Sequence, residues 1–241
     1  MSVACPVTKA MTSPRNTEVF SEKSFRLLEA IMQDCAYQRG EALFREGEAN
    51  DKLYYIKSGM TRLVKMSDEG QSMSFYHFQT GDLIGQLDGG DQNLAGFTAE
   101  TVTGCVVGII RRSDLEEQIR KHADLAIDFM RWLSFMNRFT QTKLRDLMFF
   151  GKNGALASTL IRIANTYGVF EGGKVKFTMK FTNMEIADMI GATRETVNRL
   201  LTQLKKEGVI SYENGSITIL DMGALKDICH CEDCPLNVCR L

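Results

Sequence analysis

The sequence predicts an α+β chain: an N-terminal antiparallel β-roll of jelly-roll type, a long dimerisation helix, and a C-terminal winged helix-turn-helix. Three observations predict it. Glycines at 47, 59, 70 and 81 punctuate short β-type runs at intervals of 12, 11 and 11 residues, which is the turn spacing of a sandwich or barrel. Residues 113–150 hold neither proline nor glycine and keep a helical apolar period. Two short helical periods then meet at Gly191 and are followed by Asn214-Gly215 between apolar alternations, the pattern of a helix-turn-helix with a hairpin wing.

With 241 residues and 44% hydrophobic content, the chain can bury two cores, and two domains are expected. No apolar run approaches the roughly 20 residues of a membrane span, and residues 1–15 lack the apolar centre of a secretory signal. The expected location is therefore the cytoplasm, with no membrane partner. The boundaries read as an N-terminal segment and helix (1–36), the β-roll (37–112), the dimerisation helix (113–150), the winged helix-turn-helix (151–222) and a cysteine-rich tail (223–241).

Residues 18–35 place Phe20, Phe25, Leu28, Ile31, Met32 and Cys35 at mostly helical intervals, which predicts an amphipathic helix. Strands are expected at 52–56, 60–65, 73–78 and 100–110. In the long helix, Ala126, Leu133, Thr140 and Leu147 share one heptad position, and Phe129, Met136 and Lys143 share another. This seam is expected to meet a second copy, with Ala126, Phe129, Leu133, Met136, Thr140 and Leu147 at the interface. Met130, Phe135, Phe139 and Leu144 are then left to pack on the roll. Gly151 and Gly154 mark a hinge before another helix at 155–167.

The net charge of −1 hides an asymmetry. Residues 151–208 carry nine basic against five acidic side chains, a local +4 that leaves −5 for the rest, which suits a DNA-facing segment on an acidic body. Thr182 with Glu185 three residues on fits a capping box. Arg194, Glu195, Asn198 and Arg199 fall near the start of the next helix on one face. Arginine can pair bidentately with guanine and glutamate can accept from the cytosine amino group. An isolated Arg-Glu-x3-Arg is most often a solvated ion-paired face; the helix-turn-helix frame makes it a base-reading face here.

Four of the seven cysteines, Cys229, Cys231, Cys234 and Cys239, lie in the last thirteen residues. They are too close together for comfortable disulfides with one another, but thiolates so spaced can converge on a metal or an iron–sulfur cluster. Zinc remains open at this point. Cys35 and Cys105, within apolar patterns, read as small buried hydrophobes, and Cys5 stands alone in a polar segment. No nucleophile and base pair up, and His77, His122 and His230 lie far apart, so no enzyme is expected.

The stretch from Ile186 through Gly191-Ala192-Thr193-Arg194-Glu195-Thr196-Val197-Asn198-Arg199 to Leu201, with Gly81-Asp82-Leu83-Ile84-Gly85 in a β-roll and the long helix between, resembles the CRP/FNR family of bacterial transcription regulators over nearly the whole chain. The resemblance implies a cyclic-nucleotide-binding-like roll and a homodimer. It also implies double-stranded DNA and RNA polymerase as partners, with Arg194, Glu195 and Arg199 reading a palindromic TGTGA-type site. Members that bind cyclic AMP carry Gly-Glu-Leu and an Arg-Ser pair in the roll. This chain has Gly85-Gln86-Leu87 and Asn93-Leu94-Ala95-Gly96-Phe97. A phosphate buried there would lack a cation, so cyclic nucleotide is not the expected effector.

Cys231, Cys234 and Cys239 form Cys-x2-Cys-x4-Cys, similar to the Bacillus-type FNR branch, which completes a [4Fe-4S] cluster with an aspartate. By that likeness Asp146 is the fourth metal ligand, with Cys229 in reserve and His230 behind it. Asp146 precedes the hinge and the cysteines follow the DNA-binding domain, so the expected cluster clamps two domains and oxygen releases the clamp. The resemblance thus implies an oxygen-responsive regulator of anaerobic respiration and fermentation. The competing readings are a zinc- or thiol-switched regulator of the same fold and an electron-transfer or metal-binding module.

Overall fold

The structure is a computed structural model that describes residues 14–85, 94–213 and 216–241. It divides into two compact units, Pro14–Arg138 and Phe139–Leu241. Cys5, Gln86, Leu87, Asn93 and the Asn214-Gly215 turn lie outside the described residues.

The first unit opens with a 3-10 turn, Asn16–Val19, and helix α1, Glu22–Glu29. The strands follow: β1 (Gln33–Tyr37), β2 (Ala42–Phe44), β3 (Lys52–Ser58), β4 (Met60–Met66), β5 (Ser72–Gln79), β6 (Leu83–Ile84), β7 (Thr98–Thr101) and β8 (Cys105–Arg111). They form two four-stranded sheets, ordered β1-β8-β3-β6 and β2-β7-β4-β5, with every pairing antiparallel. Phe44, Tyr54, Ile56, Leu63, Phe78 and Val107 fill one core of this jelly roll. The four regularly spaced glycines all take positive φ, from 78° at Gly47 to 98° at Gly59 and Gly81, so they are turn residues as expected.

Three expectations need correction in this unit. The helix expected over 18–35 ends at Glu29, because residues 33–37 pair with β8, Cys35 opposite Val107. Long-range ladder bonds override the local period there, and Cys35 stands exposed on an edge strand while Cys105 is buried. The single strand expected over 100–110 is two, β7 and β8, in different sheets. The short link at 102–104 carries the chain from one layer to the other.

The helix expected over 113–150 is also divided. Helix α2, Arg112–Lys121, stops at His122, whose backbone is extended at φ −134°, ψ 93°. Helix α3, Ala123–Tyr167, starts anew. A straight helix would put Leu115 and Leu125 on faces about 80° apart; the break lets both bury completely in one cluster with Leu28, Leu53 and Ile110. Buried Asp128 ties α3 to α1 by accepting from the Ser21 N–H at 3.0 Å and its hydroxyl at 2.9 Å.

The second unit begins inside α3. Gly151 interrupts the helix at φ 57°, ψ −155°, a conformation essentially confined to glycine, so the break expected there exists. The rest of α3 runs into β9 (Gly168–Glu171) and β10 (Lys174–Phe177). Helices α4 (Asn183–Ile190) and α5 (Arg194–Lys206), strands β11 (Ile210–Glu213) and β12 (Ser216–Ile219), and helix α6 (Met222–Ile228) complete it. The sheet order is β11-β12-β10-β9. Leu156, Leu160, Ile163, Ile186, Val197, Leu201, Ile217 and Leu225 lie in one core, so both helices of the helix-turn-helix rest on the second half of α3 and the wing.

Candidate nucleic-acid interface and metal centre

Helix α4 begins at Thr182, whose hydroxyl accepts from the Glu185 N–H at 3.2 Å while Glu185 accepts from the Thr182 N–H at 2.7 Å. This is the capping box expected from sequence. The helix ends at Gly191 in the left-handed region. Lys152 donates to the Ile190 carbonyl at 3.0 Å and to that of Gly191, which satisfies two carbonyls of the helix end; burial lowers its pKa.

Thr193 caps α5 by accepting from the Thr196 N–H at 3.2 Å. Val197, Leu200, Leu201 and Leu204 bury one stripe of α5, and that choice of face turns Arg194, Glu195, Asn198 and Arg199 to solvent together. Beside them Asn183, at the head of α4, donates through Nδ2 to Asn198 Oδ1 at 3.3 Å and accepts from the Tyr212 hydroxyl at 3.2 Å. The sequence carries no signal for this contact between helix and wing, because it depends on how α4 and β11 flank α5.

The cysteine tail docks on the same unit. Arg162 Nη1 donates to the Val238 carbonyl at 2.9 Å, and Asn165 Nδ2 donates to that of Cys239 at 2.7 Å. His230, in left-handed backbone, stacks on Phe150 at 4.7 Å. Cys229, Cys231, Cys234, Cys239 and Asp146 all line one cavity, which also touches Thr142, Arg145, Ser158, Arg162 and Glu232. Among the described residues, no three His, Cys, Asp or Glu converge as the ligands of a single metal ion do. The donors ring an opening rather than meet at a point.

Asp146 is 3% exposed. Its Oδ1 accepts from Arg145 Nη2 at 2.6 Å and Nε at 3.0 Å, and its Oδ2 accepts from the Ser158 hydroxyl and from Arg162 Nη2 at 3.3 Å. Arg145 also ion-pairs with Glu232 of the tail at 2.5 Å. Asp146 is thus a buried carboxylate paired with Arg145 and Arg162, not an exposed one on a solvated helix face. The pairing of Asp146 with Arg145 is among the sequence readings, whereas Ser158, Arg162 and Glu232 are not singled out there. An available signal was Arg162 within the apolar run 155–164, where a cation must find buried partners.

A correction concerns the expected clamp between two domains. Asp146 and the four cysteines belong to one compact unit, Phe139–Leu241. What they straddle is the Gly151 break, with Asp146 before it and the tail after.

The thiols differ in acidity. Cys231 is held down to about 6, chiefly by the hydrogen bond from the Cys229 thiol, against the opposing effect of its own burial and with help from the Asp233 N–H and Lys226. Cys229 is correspondingly pushed up, first by that same hydrogen bond and then by burial. Burial raises Cys239.

Along α3 the two apolar stripes divide differently from expectation. In the first unit Phe129 is 4% exposed and packs edge-on against Phe20 at 5.3 Å and Trp132 at 5.8 Å. Met136 packs against both cores of that unit and Ala126 is half-buried. Leu133 and Met130, by contrast, are 50% and 61% exposed. In the second unit Thr140 and Leu144 are exposed, Leu147 packs partly on the core, and Phe139 is buried.

Residues 154–228 match the Crp-like helix-turn-helix domain, and residues 35–122 match the cyclic nucleotide-binding domain. An anaerobic regulatory protein of Bacillus subtilis is 34% identical over 230 residues, 95% of this chain and 97% of that one. A CRP-like cAMP-activated global transcriptional regulator of Mycobacterium tuberculosis is 31% identical over 190 residues, 79% and 85% of the respective chains. Two solved structures share the fold: a CooA mutant from Carboxydothermus hydrogenoformans, TM-score 0.72 at 18% identity over 92% of this chain and 97% of that one, and FixK2 from Bradyrhizobium japonicum, TM-score 0.68 at 20% identity over 82% and 97%. The two relatives are named as regulators, not enzymes.

Proposed function

The chain belongs to the CRP/FNR family of DNA-binding transcription regulators, and from that premise we propose that it is an oxygen-responsive member acting as a homodimer. It works with RNA polymerase in the cytoplasm to control genes of anaerobic respiration and fermentation. No helix among the described residues is long and apolar enough to cross a membrane. The carrying observation is that Cys231, Cys234, Cys239 and Asp146 all line one cavity, in a chain 34% identical to a protein named for anaerobic regulation.

The donor set fits a [4Fe-4S] cluster: three thiols and a carboxylate supply one ligand per iron, with Cys229 in reserve. A zinc ion would need its thiolates drawn to about 2.3 Å from one point, so either group requires the tail to move, and iron and sulfide analysis separates them. The cavity has room for about 20 Å³, so seating a cluster requires the tail to spread. Its outer side is built of exposed Glu232, Asp233 and Pro235, where movement disturbs no core. When bound, the cluster supplies an oxygen-labile link between its ligands.

This chain's own residues give that link its effect. Asp146 stands before Gly151 and the thiols follow α6, so anything holding both fixes the angle at Gly151. Arg145 and Arg162 ion-pair with the Asp146 carboxylate and place two positive charges beside the thiols. Arg194, Glu195 and Arg199 read a palindromic TGTGA-type half-site through the major groove. The described part of the segment where cyclic-nucleotide readers carry their arginine, Leu94-Ala95-Gly96-Phe97, has no cation of its own, and the ammonium that reaches it, Lys65, is engaged by the Gly96 carbonyl and Glu46; a cyclic nucleotide is therefore not the effector this reading assigns.

The test is anaerobic purification with iron and sulfide analysis, then binding to palindromic DNA before and after air. Iron and sulfide in equal amounts, with DNA affinity that air abolishes, is the expected result. Zinc without iron, or DNA binding indifferent to air, would sink the reading. Asp146→Ala is expected to lower both cluster content and affinity; no change in either would remove Asp146 from the ligand set.

A further inference from the structure

We propose that Tyr212 and Asn183 together set the direction in which Asn198 presents its side-chain amide, making Asn198 a reader of hydrogen-bond acceptors on DNA. This rests on the DNA-binding reading above and adds a specificity determinant to it. The observation is a two-step chain of contacts. The Tyr212 hydroxyl of β11 donates to Asn183 Oδ1 at 3.2 Å, and Asn183 Nδ2 donates to Asn198 Oδ1 at 3.3 Å. The members of the chain are anchored independently of DNA. Tyr212 packs partly on the core of this unit, and its carbonyl accepts from Lys205 Nζ at 3.2 Å. Asn183 is the first residue of α4, directly behind the Thr182 capping box.

The direction of the chain follows from the groups. A phenol is a better donor than acceptor, so Asn183 meets it with oxygen and turns its NH2 toward Asn198. Asn198 then turns its oxygen toward Asn183 and its NH2 outward, from an exposed position on the same face as Arg194 and Arg199. This changes what asparagine can read. A free asparagine pairs with adenine bidentately, accepting from N6 and donating to N7. One lone pair of that oxygen remains, but an asparagine whose oxygen is turned toward a protein donor presents it less squarely to adenine N6, and its outward NH2 favours guanine N7 and O6 or thymine O4 as acceptors. Tyr212, on the wing and outside the base-reading face, thereby acts as a positioning residue for specificity.

The experiment compares wild type, Tyr212→Phe, Asn198→Ala and the double variant, in the full-length protein, on duplexes carrying each of the four bases at every half-site position. Tyr212→Phe keeps the ring and removes only the hydroxyl. Asn198→Ala is expected to flatten discrimination at one base pair. At that pair alone, Tyr212→Phe is expected to shift preference toward adenine by about fivefold, within the range of one base contact, with the salt dependence unchanged. In the Asn198→Ala background it should add nothing. A uniform loss of affinity in Tyr212→Phe, or an unchanged preference at the Asn198 position, overturns the proposal. A DNA-free readout separates it from the function it rests on: the Asn183 and Asn198 side-chain amide resonances must shift in Tyr212→Phe. Unshifted resonances overturn the relay, while wild type that discriminates no bases strikes at the DNA-binding reading itself.

Discussion

Arg162 donates through Nη1 to the backbone carbonyl of Val238 at 2.9 Å, so a cation in the second half of α3 holds the last turn of the cysteine tail. The same guanidinium reaches Thr142 at 3.1 Å and Asp146 at 3.3 Å, which binds both sides of the Gly151 break without any metal. Both members of the Arg162–Asp146 pair are buried; removing the arginine takes away one of two cations at Asp146 and leaves the Val238 carbonyl without its guanidinium donor.

Arg162→Met is therefore expected to lower the unfolding free energy of the metal-free protein by about 3 kcal/mol. Urea unfolding measures that loss. Hydrogen exchange should localise it, with the amides of 238–241 exchanging faster than in wild type. An unchanged midpoint would mean that Arg145 and Ser158 suffice to hold Asp146.

The Cys229–Cys231 contact makes a prediction about reactivity. The Cys229 thiol lowers Cys231 to about 6, so Cys231 is largely thiolate at pH 7, whereas burial keeps Cys239 protonated. Thiolate is the reactive form. Limited iodoacetamide treatment of metal-free protein at pH 7, mapped by mass spectrometry, should label Cys231 ahead of Cys239. Cys229→Ala should slow labelling at Cys231; faster labelling would show that shielding by Cys229, not acidity, governs the site.

Lys143 gives the unit a pH dependence whose sign can be worked out. Burial, followed by repulsion from Arg162 and Arg240, lowers its pKa from 10.5 to about 7. Below pH 7 folded and unfolded chains both hold the proton, and the folded state carries the cost of a half-buried cation, offset in part by the Phe139 ring 5.1 Å from its ammonium. Between 7 and 10.5 the unfolded chain binds more protons, so stability rises with pH; above 10.5 the penalty is gone. Lys143→Met should accordingly stabilise most below pH 7, with the gain fading as pH climbs toward 10. Thermal melts at pH 6 and pH 9.5 decide this, and a gain equal at both would point to packing instead of charge.

The helix-turn-helix was legible because its signals are local: the Thr182–Glu185 capping box, the left-handed Gly191 and the apolar stripe of α5 are each set within a few residues. What was misread depended on distant partners. Residues 33–35 fit a helical period but pair with β8. The α2–α3 break at His122 serves the joint burial of Leu115 and Leu125, which a one-dimensional period cannot show. The cysteine spacing marked residues that the fold does gather around one cavity, whereas the Ser158 and Arg162 setting of Asp146 arises only when α3 folds back across Gly151.

The division of apolar residues along α3 separates two substitutions that look alike in sequence. Phe129 and Leu133 both belong to the expected interface seam, yet Phe129 is 4% exposed against Phe20 and Trp132 while Leu133 is 50% exposed beside Met130 at 61%. Burying a Phe in the protomer's own core makes its truncation a folding defect, about 3–5 kcal/mol for Phe→Ala. An exposed leucine contributes little to folding, but one of a helix pair at a dimer seam cannot accept a charge. Leu133→Glu is expected to leave the thermal unfolding of dilute protein within a few degrees of wild type and to shift sedimentation from dimer to monomer. Phe129→Ala is expected to lower the melting temperature steeply while the surviving folded protein still dimerises. The reverse pattern, a dimeric Leu133→Glu and a monomeric but stable Phe129→Ala, would place the partner on the Phe129 side of α3 and show that the exposed stripe serves some other contact.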